Sequence, residues 1–432
     1  MSFDITVNID FNQALDAERF EQKSGFRNLL WLLLTIGATV FFWTLLASDY
    51  PAKLVWGAYY VNTIFFMGLA AGSCIIPAIL QIVRAKWAPP VWRLAEANVS
   101  FLPYAWILLI CTWFGKEELF PWGTKPMPGR EWWMQPGFVY TRFSLLFLLL
   151  FCLMWRFVKK SLREDIGLLR EKKGTTGKWA GWLYQGMTRN WKGYDKEVIP
   201  TQVSLSCSAP VLIFVYVLTY TLFVTEMVQG MDTSWNSNLF GAFTFVGNVY
   251  IGWAALAIAS ILVARRHKFM DKTLGTQQLW DMGKLTFGFC MLWGYMFFSQ
   301  FLPQWYGNLP EETQWLILRT REYPWKSLGY VTFAMAFIIP FILLVSEDLK
   351  KSPRALMMAC FVVLCGVYLE KYMVVMPQLS PKTLTLSGQD LMIQVPIFLG
   401  FLSAYLLSIG TFLKSFPIMP VGHPLLRGSR EW

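Results

Sequence analysis

Ten stretches that are each long enough to cross a bilayer, and nearly free of charge, dominate the sequence. A hydrocarbon core about 30 Å thick takes roughly 20 apolar residues of helix. Runs of that kind occupy residues 28–47, 54–83, 91–114, 137–158, 203–228, 239–264, 282–302, 325–346, 354–377 and 391–413. Inside them the apolar residues follow one another without a break, as in Leu145–Met154 and Ala334–Val345, not at the three-to-four spacing of a half-buried helix. Only 15% of the 432 residues are charged, against about 25% in a soluble domain. That is too little to cover the surfaces of two or three soluble domains. The expected fold is an all-α polytopic membrane protein of ten transmembrane helices.

The net charge of +11 raises the question of nucleic acid, and its distribution answers it. The basic residues sit in short segments between apolar runs, as a topology signal does. With the N-terminus inside, cytoplasmic segments and helix ends hold 28 of the 38 Lys and Arg, the other side holds nine, and Lys371 lies within a span. The loop from Lys159 to Gln202 alone supplies ten. Both termini are therefore expected in the cytoplasm, with tails 1–27 and 414–432, and no nucleic-acid partner is expected. Trp and Tyr crowd the outward loops: Trp113, Trp122, Trp132 and Trp133 at one, Trp305, Tyr306 and Trp315 at another. Interfacial anchoring explains such residues, and a docking surface would use them too.

Several cofactor classes drop out. The seven cysteines lie in apolar segments and form no C-x-x-C pair, so they point to neither an iron–sulfur cluster nor a zinc site. Small buried hydrophobes are the simpler expectation. The two histidines, His267 and His423, fall in connecting or tail segments, which argues against a bis-histidine haem in the membrane. The polar, acidic N-terminus has no leader pattern, and no removed signal peptide is expected.

An internal duplication is visible. Spans 3 and 4 are joined by residues 115–136, spans 7 and 8 by residues 303–324. Both connections are aromatic, end in proline (Pro136, Pro324) and carry an acid pair (Glu117–Glu118, Glu311–Glu312). Leu94-Ala-Glu-Ala-Asn-Val-Ser-Phe101 also parallels Trp280-Asp-Met-Gly-Lys-Leu-Thr-Phe287. Two tandem four-helix bundles are expected, residues 54–228 and 239–377. They would share one orientation and be related by an axis along the membrane normal. The first span (28–53) and the tenth (391–413) are then peripheral, and 159–202 is a basic insertion with no counterpart in the second copy. Gly68-Leu-Ala-Ala-Gly72 in span 2 reads as a close helix contact.

Several pieces together resemble the NrfD/PsrC-like (polysulfide reductase-like) membrane subunits of respiratory complexes. They are most similar to the ten-helix subunits of alternative complex III and related quinone-linked assemblies. The pieces are Trp56-Gly, Asn62 and Gly68–Gly72 in span 2, Arg93-Leu-Ala-Glu96, Phe298-Ser-Gln-Phe, Trp305-Tyr-Gly-Asn-Leu-Pro-Glu-Glu-Thr313, and Gly366-Val-Tyr-Leu-Glu370-Lys-Tyr-Met-Val-Val-Met-Pro377. The resemblance runs from about residue 28 to 415. It implies a bacterial inner-membrane subunit that binds no haem or iron–sulfur cluster itself. It also implies contact with quinone, menaquinone first, near the periplasmic face. The implied partners are iron–sulfur or multihaem c-type cytochrome subunits, a molybdopterin-type subunit and a second NrfD-like subunit, with proton translocation as a further role. The chain departs from one branch by having Ala71 where the larger complex-III subunit has a histidine in span 2.

Ionisable groups inside spans cost roughly 2.5–3.5 kcal/mol on insertion scales and call for an explanation. Glu96, Asp281, Lys284, Glu370 and Lys371 are the candidates for a proton pathway, with structural ion pairing as the alternative for each. A quinone needs an apolar slot and donors for its carbonyl oxygens. The outer ends of spans 2–5 offer Tyr59, Tyr60, Asn62, Tyr104, Tyr140, Arg142, Tyr220 and Glu226, although an Arg142–Glu226 pair would leave neither free. No residue is expected to be catalytic in the strict sense, and no metal site is expected. Three functions compete: a quinone-contacting redox anchor, a non-catalytic proton-path or scaffold subunit, and a secondary transporter. Transporters place helix breaks at matching points of their repeats. Pro210 and Pro340 do not correspond, which disfavours the third.

Overall fold

The computed structural model describes residues 20, 22–124, 129–173, 181–232, 235–381 and 386–427. Parts of both expected tails and of the basic insertion lie outside these. Among the described residues there is no strand, and ten helices are long and apolar enough to cross a membrane. They are α1 (Ser24–Ala47), α2 (Ala52–Ile82), α3 (Pro89–Leu119), α4 (Pro136–Lys173), α5 (Tyr194–Met231), α6 (Phe240–Ala264), α7 (Thr276–Gly307), α8 (Trp325–Val345), α9 (Pro353–Leu379) and α10 (Gly388–Ser415).

The centre of the molecule is the crossing of α2 and α6. Within their apolar windows 94% of α2 and 78% of α6 are buried by protein, against 17% of α1. Two glycines set the distance. A Cβ on Gly72 would collide with the Asn248 carbonyl, and one on Gly252 would meet the Gly72 backbone at 2.8 Å. The backbones therefore touch, as small residues allow in a membrane where lipid is as apolar as leucine. The packing fits two four-helix units joined along their first helices. α10 is less peripheral than expected, since it lies between α1 and α2 with Phe401 and Tyr405 against Phe66.

Helix irregularities are satisfied from neighbouring helices. Pro103 interrupts α3, which runs through a 3₁₀ turn at Ala97–Ser100. Pro377 offers no N–H to the carbonyl of Met373 in α9. Arg319 from the helix Pro310–Thr320 donates to that carbonyl through Nε at 2.7 Å and to Val374 O through Nη2 at 3.1 Å, with its guanidinium over Trp315. Single π turns occur at Val224–Val228 in α5 and Ala334–Ile338 in α8. In each, a buried tyrosine donates to a carbonyl: Tyr60 to Met227 O at 2.8 Å, Tyr250 to Ala336 O at 3.2 Å.

The end that carries the α4–α5 connection, which is the inner end under the orientation expected from the charges, differs from the expectation of a loop starting at Lys159. α4 continues as helix to Lys173 because Val158, Leu162, Ile166 and Leu169 carry an apolar face that is buried. A short helix, Gly181–Met187, and the first turns of α5 complete the insertion. The segment after α10 folds back over it: Gly422 N–H donates to Asp165 at 2.6 Å, and Tyr194 and Tyr184 donate to Gly422 O and Ser415 O at 2.7 Å each. His423 is accordingly buried, its ring 5.3 Å from that of Trp92. The cysteines divide, with Cys74, Cys290 and Cys360 buried and Cys152 and Cys207 on the outer, lipid-facing surface.

Candidate functional site

Polar residues within the spans collect at three levels. At the outer end of the first half, the π turn of α5 presents Glu226 to α4. Arg142 Nη2 pairs with Glu226 Oε2, and Trp133 Nε1 donates to the other carboxylate oxygen at 3.0 Å. The Arg142 guanidinium also lies 4.0 Å from the Trp133 ring centre. Tyr140, half a turn before Arg142, shares a 2.9 Å hydrogen bond with Thr112. The sequence candidates thus separate by helix face. Tyr60, Tyr140, Arg142 and Glu226 converge on the π turn. Tyr59 points the other way, donating to Leu108 O at 2.9 Å among Phe41, Trp56 and Phe401. Asn62 faces α9, where it accepts from Tyr368 OH at 3.4 Å. Tyr220 donates to Met67 O, and Tyr104 is exposed on the lipid side.

A quinone carbonyl accepts hydrogen bonds, so free donors are the test of fit. Among the described residues, the buried N–H groups without a partner at this end include Arg142 Nε and Trp122 Nε1. Trp122 stacks on Phe120 at 4.6 Å and lies 6.4 Å from the Tyr140 ring. The ion pair is slightly open, with side-chain exposures of 13% for Arg142 and 11% for Glu226. An apolar ring system with orphaned donors and one carboxylate suits a quinone head group.

The middle level joins the two halves. Glu370 accepts from Lys371 Nζ at 3.1 Å through Oε1, while its Oε2 has no partner. Thr244, Asn248, Glu370 and Lys371 line a cavity of about 10 Å³ between α2, α5, α6 and α9, room for a single water. The Thr244 hydroxyl and the Trp293 indole N–H are also buried without partners among the described residues.

The inner level is a closed knot. Arg93, at the start of α3, pairs with Glu96 one turn on and with Asp165 of α4. Trp92 Nε1 donates to Glu96 at 2.9 Å. Glu164 receives both its hydrogen bonds from Gln202 of α5, at 2.9 and 3.1 Å, and Gln81 of α2 donates to Gln202 and Ser206. Outside the spans, burial pushes the His423 imidazole down to about 3, with the Arg93 charge adding to the effect. Of the other proton-path candidates, Asp281 and Lys284 pair at 2.6 Å near the inner start of α7, with Lys284 44% exposed.

Sequence reasoning passed over Glu164, Asp165, Asn248, Trp293 and Arg319. The first two fall in a charged stretch that reads as a loop, although the apolar spacing of Leu162, Ile166 and Leu169 carries the α4 pattern through them. Asn248 and Trp293 bear no charge and so raise no alarm in an apolar run.

No curated protein matches the chain. The family described as polysulphide reductase, NrfD, matches residues 47–380, from just before α2 to the end of α9. With well over half its length so matched, this chain belongs to the NrfD family of membrane proteins.

Proposed function

We propose that this chain is the quinone-contacting membrane anchor of its complex, with the contact at the outer ends of α3–α5. Membership of the NrfD family makes it a multi-pass membrane subunit of a quinone-linked respiratory oxidoreductase, working with iron–sulfur and molybdopterin-type catalytic subunits. The observation that carries the proposed contact is the Arg142–Glu226 pair with its unpaired donors Arg142 Nε and Trp122 Nε1.

Bound quinone supplies two-electron, two-proton redox chemistry. The protein's part is to seat the ring against Phe120, Trp122 and Tyr140 and to donate from Arg142 and Trp122. Glu226 holds or moves a proton at its carboxylate. Electrons pass to or from an iron–sulfur or haem partner seated over the exposed Trp132, Trp305 and Tyr306. The proposed setting is a bacterial inner membrane with both termini inside, two four-helix units at 54–228 and 239–377, and menaquinone as the first candidate. Likeness to the alternative complex III subunits, with a cytochrome and a second NrfD-like partner, belongs to the same proposal. Glu226→Gln and Tyr140→Phe should each slow quinol turnover at least tenfold in an intact complex. Unchanged turnover in both would remove the site.

A second function, a proton-path or scaffold subunit, is favoured by one observation: the unpaired Glu370 Oε2 among the partnerless polar groups of α6 and α7. In that case Glu370→Gln, and not Glu226→Gln, abolishes proton uptake coupled to turnover. Glu96, Lys371, Asp281 and Lys284 would be further steps of that path.

A further inference from the structure

We infer that the basic insertion between α4 and α5 forms a binding site for the phosphate of an anionic phospholipid, whose acyl chains lie along the outer faces of the same two helices. This inference depends on the helix packing alone and not on the quinone site.

α4 has 38 residues, about 57 Å of helix, while the hydrocarbon core needs about 30 Å. Counting from Pro136, the helix leaves the hydrocarbon near Arg156, where its basic residues begin. Arg156, Lys159, Lys160 and Arg163 of α4 line two adjoining open pockets of about 340 and 310 Å³. Arg189, Lys192 and Lys196, from the connection and the first turn of α5, face them across the pockets. The one lining acid, Glu197, is committed to Arg163, which it binds through both oxygens at 2.8 and 2.9 Å. Lys160 reaches across to Ser204 of α5 at 2.7 Å. Arg156, Lys159, Arg189, Lys192 and Lys196 pair with no acid among the described residues.

A topology signal requires only that positive charges be present on this side; it does not require them to converge. The corresponding turn of the second half, Glu347–Lys351, shows the alternative, because there Lys351 pairs with Glu347 at 2.6 Å. Below the pockets the surface is apolar: Leu148, Leu149 and Trp155 on α4, Ile199, Val203 and Val211 on α5, each at least 40% exposed. A concave, uncompensated positive site at a helix exit, continuous with a lipid-facing apolar strip, suits a diester phosphate attached to two chains.

The test compares the purified full-length protein, in its complex and in mild detergent, with an Arg156→Gln/Lys159→Gln/Lys196→Gln variant by native mass spectrometry after adding phosphatidylglycerol or phosphatidylcholine. An Arg265→Gln/Arg266→Gln/Lys86→Gln variant removes three exposed charges from the same membrane side and serves as the control. The wild type and the control should retain phosphatidylglycerol over phosphatidylcholine. The first variant should bind it about 100-fold more weakly, at about fivefold per charge. Equal retention in all three proteins, or equal loss in the two variants, would overturn the site. A thermal-shift series with inorganic phosphate separates the sources: stabilisation by the lipid alone is expected, and equal stabilisation by free phosphate would overturn the lipid assignment.

Discussion

The two ends of the first half hold the same kind of pair, an arginine and a glutamate brought together on helices, in opposite settings. At the inner end, Arg93 and Glu96 have no exposed side-chain surface, and Asp165, Trp92 and the returning C-terminal segment close around them. At the outer end, Arg142 and Glu226 retain a little exposure beneath a single indole; each guanidinium leaves its Nε–H without a partner among the described residues, so the two settings differ in exposure and not in spare donors. The difference shows that an ion pair in a membrane protein takes its role from what surrounds it. Sealed from its surroundings, it fixes two helices and a tail. Partly open, it can receive a ligand.

The largest expected effect comes from breaking the inner pair. Arg93→Ala leaves Glu96 and Asp165 buried without their cation, which costs about 3–5 kcal/mol. Thermal unfolding in detergent should show a strongly destabilised or unassembled protein. The central crossing comes next: Gly72→Ala pushes a methyl group into the Asn248 carbonyl, an overpacking of about 1–3 kcal/mol, read by the same unfolding assay. At the outer end the effect should move from stability to function. Trp133→Phe keeps the stacking on Arg142 but removes one hydrogen bond to Glu226, about 1 kcal/mol of stability, and should shift the pH profile of quinol turnover while the complex stays assembled. An unchanged profile would mean that Glu226 holds no working proton.

The last effect concerns the tail, and it is small only near neutral pH. A detached His423 takes up a proton below its ordinary 6.5, whereas the buried ring, close to Arg93 and to the Asp165 that holds Gly422, resists until about 3. Docking is therefore complete above pH 6.5 and weakens as pH falls toward 3, by up to about 1.4 kcal/mol per unit. The protection factors of the Gly422 and Leu425 amides, with the intrinsic exchange rate at each pH divided out, should fall between pH 7 and 5, and the fall should vanish in His423→Phe.

The fold was legible because lipid imposes one solution on an uncharged run of 20 residues, and all ten spans stand close to where the apolar runs put them. The Arg142–Glu226 pair was legible as an alternative, since both residues fall at the same depth on neighbouring spans. The inner knot was not, because what buries Glu164 and Asp165 is a segment some 250 residues later, and local composition shows only a charged stretch. The crossing at Asn248 was hidden for a different reason. Gly68 and Gly72 announce a close contact, but nothing in their own helix says which residue will fill it.

The most direct test of the quinone contact is photo-crosslinking of an azido-quinone to the purified complex, followed by peptide mapping. The account predicts adducts on the outer ends of α3–α5, around Trp122, Trp133 and Tyr140, that disappear when excess native quinone is added. Adducts confined to α6–α9 or to another subunit would contradict it.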